Sequence, residues 1–599
     1  VPTSHKRAKS LIDAGDVTRS MGGGKKLGPV LGINAFHGDA SACLLVDGQV
    51  CAAAEEERFR RIKHWAGFPE LAIGYCLDAS GLTLSDISHI AVNSDPRASW
   101  FAKARYALSK RPDVRLLWSR LKNARARLGI DAQLLNADLP GQFAGKIHRI
   151  EHHEAHLASA FYASGFDDAV TVSVDGFGDF ASAAWGRWRP HEHKIEGKIH
   201  FPHSLGVFYQ AMTQFLGFPN YGDEFKLMGL AAYGEAEDDR VNDLVTLTAS
   251  GTYRLNLRFF RHHRERVPYV WSGGVPSVGQ LYSEELEAHL GPSRKPSQPL
   301  NETHKSLALT TQKHYERAFF HLLNAQFDRH RLKHVVLAGG CAMNSLANGA
   351  VTSNTRFERV FVQPAAGDAG GAYGAAALVH SRLGGNTRKL AMPHAYWGPE
   401  PSDHDIARAI AEVSGKLEAE GCIVRRENDE QQLCENTAAA ISDGAVVGWF
   451  QGRMEWGPRA LGARSILADP RRQDMRELLN TKIKLREPFR PFAPAIIEEA
   501  VGEWFERPQP VPFMMQVLPI KSSKTGLIPA VTHVDGTARV QVVKPNCQSV
   551  IRPILEEWYE LTGCPMLLNT SLNIKGKPIV NSEEDGVAFE KKYGVKVYG

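Results

Sequence analysis

The sequence lacks the features that mark membrane-spanning, exported or nucleic-acid-binding proteins. Its eight cysteines form no CxxC pair and no regular framework, so we expect reduced thiols and a cytoplasmic location. No apolar run approaches the length of a membrane span, and no signal-peptide pattern opens the chain. The net charge of +5 over 599 residues is too small to indicate nucleic-acid binding by itself. These absences predict an ordinary folded protein without a membrane partner.

Two common catalytic motifs are absent as well. No GxxxxGK[ST] pattern occurs, so an ordinary P-loop is not supported. Glu154 in HHEAH does not directly follow the first of two histidines four residues apart, as the HExxH metalloprotease pattern requires. The sequence therefore predicts neither a Walker-type NTPase nor a zinc protease of that kind.

The segments that are present indicate α/β architecture. VLGINAF, ACLLV and QVCAAAEE form strand patterns, with an Asp47-Gly48 hairpin turn between the last two. AVTVSVDGFGD and HVVLAGG are further strands that run into glycine-rich turns, and AAGDAGGAYGAAAL enters a helix of small residues. Strands that end in Gly/Asp loops and feed helices are typical of α/β folds, with ligands at the strand ends.

The chain has room for two or three domains. Residues 1–28, with MGGGKK near their end, have the composition of a polar leader or extension, and we exclude them from the fold. A run of proline and turn-forming residues at 389–405 places a boundary between a domain at 29–395 and one at 396–599.

One stretch is strongly basic. Between Lys103 and Arg127 the chain carries nine Lys or Arg residues and only Asp113 as an acid, with leucines and Trp118 among them. Such a stretch suits a solvated amphipathic helical insertion or a polyanion-binding face. The interleaved apolar residues favour packing or acceptor contact, so we predict that it binds no nucleic acid.

The stretch IEHHEAHLASAFY contains a candidate metal-binding pair. His152 and His156 are four residues apart and share one face of a helix, whereas His153 points elsewhere. The alternative is a pair that lies on a helix without a ligand. Asp175 and Asp368 each lie where a strand gives way to a glycine-rich turn, which suits a metal or phosphate ligand or an Asx-turn. The four side chains together would suit Fe, Mn or Zn.

Other residues of the first domain could contact a substrate. His37, in the turn of the first hairpin, could act as a general base or could hydrogen-bond the turn. Gly339, Gly340 and Asn344 follow an apolar strand and could let a nucleotide approach the backbone closely, although glycine pairs at strand ends are frequent.

The second domain is dense in cations beside glycine, proline and aromatic residues. Arginine forks bind phosphate and carboxylate through two hydrogen bonds. Arg539 follows DGTA, and LLNTSLN places Asn569, Thr570, Ser571 and Asn573 in a polar turn after an apolar strand. This composition predicts a pocket for a highly anionic small molecule. The cations between 453 and 490 are Arg453, Arg459, Arg464, Arg471, Arg472, Arg476, Lys482, Lys484, Arg486 and Arg490.

The chain resembles the O-carbamoyltransferases of the nodulation-factor, cephamycin and tobramycin type. The resemblance runs from about Leu31 to near the C-terminus, and the tobramycin type is the favoured one. The segments that carry it are GINAFHGDASACLLVDG, AAAEEERFRRIKH, HHEAHLASAFY, VSVDGFGD, EFKLMGLAAYG, LAGGCAMN, GRMEWGPRALGARSILADPR, REPFRPFAP and LLNTSLN.

The resemblance implies two catalytic units. The first would have an actin-like ATPase (ASKHA) fold, and the second would be a YrdC-like α/β domain. In such enzymes carbamoyl phosphate and ATP form carbamoyladenylate and pyrophosphate in the second domain. A substrate hydroxyl then takes the carbamoyl group in the first domain, and AMP leaves.

The resemblance also implies roles for individual residues. The metal ligands correspond to His152, His156, Asp175 and Asp368, and the transfer-site histidine to His37. The adenylation residues correspond to Arg459, Lys482, Arg539 and Ser571. Independently of the resemblance, the residue patterns above add four candidates for nucleotide or carbamoyl phosphate contact, which are Asn569, Gly339, Gly340 and Asn344.

The expected cofactors are ATP with Mg²⁺ and one divalent metal, with Fe²⁺ favoured over Mn²⁺ or Zn²⁺. The expected partners are carbamoyl phosphate, ATP and a hydroxylated small molecule such as an aminoglycoside. A second copy of the chain is a candidate partner.

Two other functions stay open at this point. A tRNA-modifying transferase of the carbamoyl type would bind tRNA through the basic stretch. A sugar kinase of the actin-like superfamily would release ADP and would leave the second domain without a role.

Overall fold

A computed structural model gives the structure of the chain. It describes residues 27–110, 129–265, 267–270, 273–419, 423–545, 548–582, 584–586, 588–589 and 595–598. The predicted leader up to residue 26 and most of the basic stretch, residues 111–127, lie outside the described residues. The fold is α/β, as predicted.

The first sheet follows the predicted strand, turn, strand pattern. Its strand order is β3-β2-β1-β4-β5, with β1 antiparallel to β2 and parallel to β4. The β2–β3 turn is formed by Asp47 and Gly48, whose φ angles of 50° and 82° match the left-handed conformation of a two-residue hairpin turn. The strands are β1 (Val30–Asn34), β2 (Ser41–Val46), β3 (Gln49–Glu55), β4 (His89–Val92) and β5 (Lys146–Arg149).

The second sheet repeats the arrangement of the first. In the order β9-β7-β6-β14-β15, β6 is antiparallel to β7 and parallel to β14, as β1 is to β2 and β4. The short strand β8 pairs with the end of β7. The strands are β6 (Ala169–Gly178), β7 (Ala181–Arg189), β8 (Glu192–His193), β9 (Gly197–His200), β14 (His334–Ala338) and β15 (Arg359–Val362). The sequence contains no internal repeat that corresponds to this repeated strand order.

The helix that follows each of these two sheets packs against the other sheet. Helix α5 (His152–Ser164) follows β5 and lies on the second sheet, and α11 (Gly370–Arg382) follows β15 and lies on the first. The two helices also pack on each other. A Cβ on Gly374 would lie 1.9 Å from the carbonyl oxygen of Ala155, and one on Gly32 would lie 1.9 Å from that of Ala372. The glycines are therefore required by close backbone approach.

The remaining elements of this part surround the two sheets. The helices are α1 (Glu56–Arg60), α2 (Glu70–Asp78), α3 (Trp100–Lys110), α4 (Ile130–Asn136), α6 (Leu205–Phe215), α7 (Glu224–Ala231), α8 (Glu284–Leu290), α9 (Glu302–His330) and α10 (Ser345–Asn354). The short strand pairs are β10 (Val245–Leu247) with β11 (Tyr253–Leu255), and β12 (Tyr269–Val270) with β13 (Ser277–Val278).

A third sheet is built by the residues after the predicted boundary, in the order β21-β18-β22-β17-β16-β23. Its strands are β16 (Val447–Phe450), β17 (Arg464–Ala468), β18 (Ala493–Ile497), β21 (Gln541–Val543), β22 (Met566–Ser571) and β23 (Lys596–Tyr598), with β19 (Val517–Pro519) paired to β20 (Thr537–Arg539) beside it. The helices of this part are α12 (Asp403–Ala419), α13 (Glu430–Ser442), α14 (Met475–Leu478), α15 (Val501–Trp504) and α16 (Arg552–Thr562). Trp558 of α16 is fully buried against the sheet.

The parts before and after the predicted boundary share an apolar core. Leu461, Ala463, Ala493 and Met515 are buried in the same cluster as the strands of the second sheet. Backbone contact is equally close, since a Cβ on Gly349 would lie 1.8 Å from the carbonyl oxygen of Val517. The two parts therefore form one packed unit. Among the described residues, no helix has both the length and the apolar character needed to cross a membrane.

Candidate active sites

The predicted metal ligands come from three separate segments that meet between the first two sheets. His152 and His156 lie on the first two turns of α5, Asp175 lies on β6, and Asp368 lies just before α11. Since α5 and α11 pack on each other and β6 ends beside them, the fold brings the four side chains together. The predicted pairing of His152 and His156 on one helical face is confirmed.

The four ligand atoms lie within 4.8 Å of one another. His156 Nε2 is 3.1 Å from Asp175 Oδ2 and 3.4 Å from Asp368 Oδ1. His152 Nε2 is 3.6 Å from Asp175 Oδ2 and 3.1 Å from His156 Nε2. Two imidazole nitrogens and two carboxylate oxygens at this spacing form a donor set that fits Fe, Mn or Zn.

The electrostatics of this cluster favour a cation. Burial by itself lowers the pKa of His156, but hydrogen bonds and charge from Asp175 and Asp368 raise it to about 9. Burial likewise raises the pKa of Asp175, but His152 and His156 hold it well below its usual value. A positive charge is therefore stabilised where the imidazoles meet the carboxylates, which is the position that a metal ion would take.

His153 points away from the cluster, as predicted. Its Nδ1 lies 2.9 Å from the hydroxyl of Ser173, and its side chain is fully buried. Burial, aided by the neighbouring histidines, lowers its pKa to about 3. His153 is therefore a neutral core residue.

We call His152, His156, Asp175 and Asp368 the metal-ligand cluster. His37 lies at its rim. Its Nδ1 is 3.9 Å from Asp368 Oδ2, and its ring centroid is 5.1 Å from that of His152. It follows β1, in a loop that Asn34 fixes by donating from Nδ2 to the carbonyl oxygens of Gly38 and Asp39. The loop thus holds an imidazole beside the proposed metal position.

The predicted nucleotide contacts in the first domain differ in their surroundings. Gly339 has a φ of 88°, and the amide of Gly340 donates to Asp175 Oδ2 over 3.0 Å, so this turn borders the metal-ligand cluster. Asn344 instead caps α10 by accepting from the amide of Ala347, and its side chain pairs with that of Gln312. Its side chain thus forms structural contacts, and its role in nucleotide binding stays a prediction.

A second cluster lies in the part after residue 396 and consists of cations. Among the described residues, none of Arg459, Lys484, Arg486 and Arg539 forms an ion pair with a carboxylate, whereas Arg490 pairs with Glu487 over 3.6 Å. The Nε atoms of Arg459 and Arg539 are buried and have no hydrogen-bond partner among the described residues. We call these five residues the cation cluster.

The members of the cation cluster repel one another. Burial and then Arg490 lower the pKa of Arg459 to about 10 and that of Arg486 to about 9. Burial, Arg459, Arg486 and Arg490 lower the pKa of Arg539 well below its usual range. An anion bound among these side chains would remove that repulsion, so the cluster is suited to phosphate.

The two lysines of this segment differ in burial. Lys482 is exposed, whereas Lys484 is buried and donates through Nζ to Asn573 Oδ1 over 2.8 Å and to the carbonyl oxygen of Ser571. A π-helical turn over Leu479–Ile483 precedes Lys484 and alters which positions face inward. Lys482, which the resemblance implies, stays a prediction, and the structure adds Lys484 as a second candidate.

The other two predicted members lie on β22. Ser571 is half-buried beside Lys484, and its hydroxyl donates to Asn573 Oδ1 over 2.8 Å. Asn569 is buried and donates to Gln541 Oε1 over 2.8 Å. Ser571 is thus positioned beside the cations, whereas Asn569 supports the strand beneath them.

A polar segment lies between the two clusters. His64 Nδ1 is 2.7 Å from Asp39 Oδ1, and the backbone amide of His64 donates to Glu57 Oε2 over 2.6 Å. Burial alone would lower the pKa of His64, but Asp39 raises it above its ordinary value. The neighbouring Lys63 and Arg490 both face the ring of Phe225, at 5.6 and 4.4 Å. Charged side chains therefore line the path from the loop of His37, through Asp39 and His64, to Arg490 of the cation cluster.

The comparison with known families identifies the family of this chain. The family model "Carbamoyltransferase N-terminus" matches residues 29–377, and "Carbamoyltransferase C-terminus" matches residues 438–598. The chain belongs to the carbamoyltransferase family, and the class of activity is carbamoyl transfer.

Relatives along most of the chain agree with this membership. An uncharacterized protein of Synechocystis sp. is 36% identical, over 93% of each chain. The nodulation protein NolNO of Sinorhizobium fredii is 37% identical, over 92% of this chain and 77% of its own. Among solved structures, HypF of T. kodakarensis covers 62% of this chain and is itself covered to 50%, with 15% identity and a TM-score of 0.31. So low a score supports no further conclusion.

The metal-ligand cluster leads to a first prediction. A His156→Asn variant should lose most of its bound divalent metal, because it removes the nitrogen that lies closest to both carboxylates. Elemental analysis of the purified protein, after equilibration with Fe²⁺, Mn²⁺ or Zn²⁺, measures the metal content. His153→Asn is the matched control, since it changes a buried histidine on the same helix that faces away. Equal metal content in the two variants would refute the ligand assignment.

Proposed function

We propose that the protein is an ATP-dependent O-carbamoyltransferase that works through carbamoyladenylate. Family membership supports carbamoyl transfer, and the repeated strand order of the first two sheets is what an actin-like ATPase fold has. The observation that carries the ATP-dependent step is the cation cluster. Four members of this cluster have no carboxylate partner among the described residues. Such cations suit two substrates that both carry phosphate groups.

The first half-reaction would take place at the cation cluster, in the part that we propose to be YrdC-like. Carbamoyl phosphate and water give carbamate and phosphate. A carbamate oxygen then attacks the α-phosphorus of ATP, and the bond to pyrophosphate breaks. Carbamoyladenylate, phosphate and pyrophosphate are the products. Arg459 and Arg539 would hold the phosphate oxygens and stabilise the charge that develops on the leaving pyrophosphate. Ser571 and a lysine would assist them; the resemblance implies Lys482, and burial beside Ser571 favours Lys484.

The second half-reaction would take place beside His37. An acceptor hydroxyl attacks the carbamoyl carbon, its proton passes to His37, and the bond to AMP breaks. His152, His156, Asp175 and Asp368 would hold a divalent metal, with Fe²⁺ proposed. When bound, such an ion polarises carbonyl and phosphoryl oxygens. The amide of Gly340 faces Asp175 Oδ2 and fixes that carboxylate in place.

The acceptor is proposed as a hydroxylated small molecule, and the tobramycin-type acceptor stays a prediction. ATP with Mg²⁺, the cytoplasmic location, a homodimer and the boundary at 395/396 stay predictions as well. Lack of tRNA binding is a further prediction for the basic stretch, most of which lies outside the described residues.

A pyrophosphate-release assay tests the proposal. The protein is incubated with ATP, Mg²⁺ and carbamoyl phosphate, and pyrophosphate, phosphate and AMP are measured with and without each substrate. We expect pyrophosphate only when both substrates are present, and carbamoylated product when a panel of hydroxylated natural products is added. Release of ADP in place of pyrophosphate would refute the proposed first step.

A further inference from the structure

The loop that carries Arg459 is held by side chains from the first part of the chain. The carbonyl oxygen of Gly457 accepts from Arg58 Nη2 over 2.6 Å, and the amide of Gly457 donates to Glu55 Oε1 over 2.7 Å. Both sides of this peptide segment are therefore bonded to residues at the end of β3 and in α1. Arg459 follows only two residues later.

The two holding side chains are buried and paired with each other. Arg58 is 1% exposed and Glu55 is 5% exposed, and Arg58 Nε lies 3.6 Å from Glu55 Oε2. Buried charges at this depth are costly unless they are paired and hydrogen-bonded. Glu57, which lies 3.9 Å from Arg58 Nε, also accepts from the amide of His64. The pair is therefore linked to the segment beside His37.

The Gly457 segment has little freedom to adjust. Gly457 has a φ of 104°, and a Cβ there would lie 2.5 Å from the carbonyl oxygen of Pro364. On its far side, the amides of Leu461 and Ala463 donate to Glu455 Oε1 over 2.8 and 2.7 Å. Arg459 thus projects from a short loop fixed at both ends, and the end before it is fixed by the first part of the chain.

We infer that Glu55 and Arg58 are positioning residues for the reaction at the cation cluster, so that adenylate formation depends on side chains of the part that carries the transfer site. This inference rests on the proposed function and adds residues that the resemblance did not assign. Without the two hydrogen bonds, the Gly457 segment shifts and Arg459 no longer meets the phosphate that it is placed to bind. Displacements of about 1 Å can cost on the order of 10²-fold in rate.

The chain offers a matched control. Arg61 lies in the same segment and also crosses to the second part, where Nη1 donates to the carbonyl oxygen of Ile579 over 2.7 Å. Its side chain also donates to the backbone carbonyl oxygen of Arg58 over 3.4 Å, but among the described residues it makes no hydrogen bond or ion pair with the loop of Arg459. Arg58→Met and Arg61→Met therefore each remove an arginine that joins the two parts, and only the first removes a hydrogen bond to the Gly457 segment.

The experiment measures both half-reactions in the full-length protein. In Arg58→Met, we expect pyrophosphate release to fall by about 10²-fold, with a raised KM for carbamoyl phosphate. Product formation from supplied carbamoyladenylate should stay within about twofold of the wild type. Arg61→Met should stay within about threefold in both assays. Glu55→Gln keeps the acceptor for the Gly457 amide but loses the charge that holds Arg58, so it should show a smaller loss in the same direction.

Three outcomes would overturn the inference. They are unchanged pyrophosphate release in folded Arg58→Met, an equal loss in Arg61→Met, and a loss of transfer as large as that of pyrophosphate release. If Arg58→Met does not fold, the pyrophosphate-release and transfer assays of Glu55→Gln test the inference by the same criteria. A thermal shift with inorganic pyrophosphate adds an arm that needs no turnover. Weaker stabilisation of Arg58→Met than of Arg61→Met supports the inference even if the wild type makes no carbamoyladenylate, and equal stabilisation counts against it.

Discussion

An Arg539→Ala variant should release almost no pyrophosphate from ATP and carbamoyl phosphate, yet should form product when carbamoyladenylate is supplied. Arg539 is half-buried among Arg459, Arg486 and Arg490, with no carboxylate partner in the described part of the chain. Removal of one preorganised donor of this kind costs on the order of 10²–10³-fold in rate. Pyrophosphate and product are measured in parallel. Pyrophosphate release close to the wild-type rate would show that the cation cluster is not the site of adenylation.

The two lysines of this segment form a matched pair for the same experiment. Lys484 is buried beside Ser571, whereas Lys482 is exposed two residues earlier. We expect Lys484→Ala to lose pyrophosphate release by a similar factor and Lys482→Ala to stay near the wild type. The reverse result would favour Lys482, the residue that the resemblance implies, over Lys484.

The second large effect concerns the transfer step. A His37→Asn variant should still convert ATP and carbamoyl phosphate into pyrophosphate and carbamoyladenylate, while it forms little carbamoylated product. His37 lies beside Asp368 and His152, on the β1–β2 loop, and the cation cluster is built from other segments. Loss of a general base costs roughly 10²–10⁴-fold.

The same variant separates the two half-reactions. If His37→Asn loses pyrophosphate release as severely as Arg539→Ala does, the proposed division of labour between the two clusters is wrong. Metal content should be unchanged in His37→Asn, because the four proposed ligands remain, and this measurement distinguishes a lost base from a lost metal.

Local patterns in the sequence predicted the elements that depend on neighbouring residues. Four elements lie where their local pattern indicates. They are the strand VLGIN, the Asp47-Gly48 turn, the helix with His152 and His156 on one face, and the small-residue helix that ends at Arg382. Each depends on side-chain alternation, turn geometry or helical spacing within a few residues. Such features can be derived before any tertiary contact is known.

The two lysines mark the limit of this approach. Lys482 and Lys484 have nearly the same local surroundings in the sequence, and a π-helical turn decides which of them is buried. Asn344 shows the same limit, because helix capping and the contact with Gln312 occupy its side chain. The hydrogen bonds of Glu55 and Arg58 to Gly457 join residues about 400 positions apart. No local pattern contains them.

The sequence by itself determined the α/β class, the chemical types present at the strand ends, and the motifs that resemble the carbamoyltransferase family, because these follow from local periodicity and residue chemistry. Only the tertiary structure decided that His152, His156, Asp175 and Asp368 meet, that Lys484 faces the arginines, and that the first part of the chain holds the loop of Arg459. The physical reason is that these contacts are made across packed helices and sheets. Close approach at positions such as Gly374 and Gly457 sets their distances.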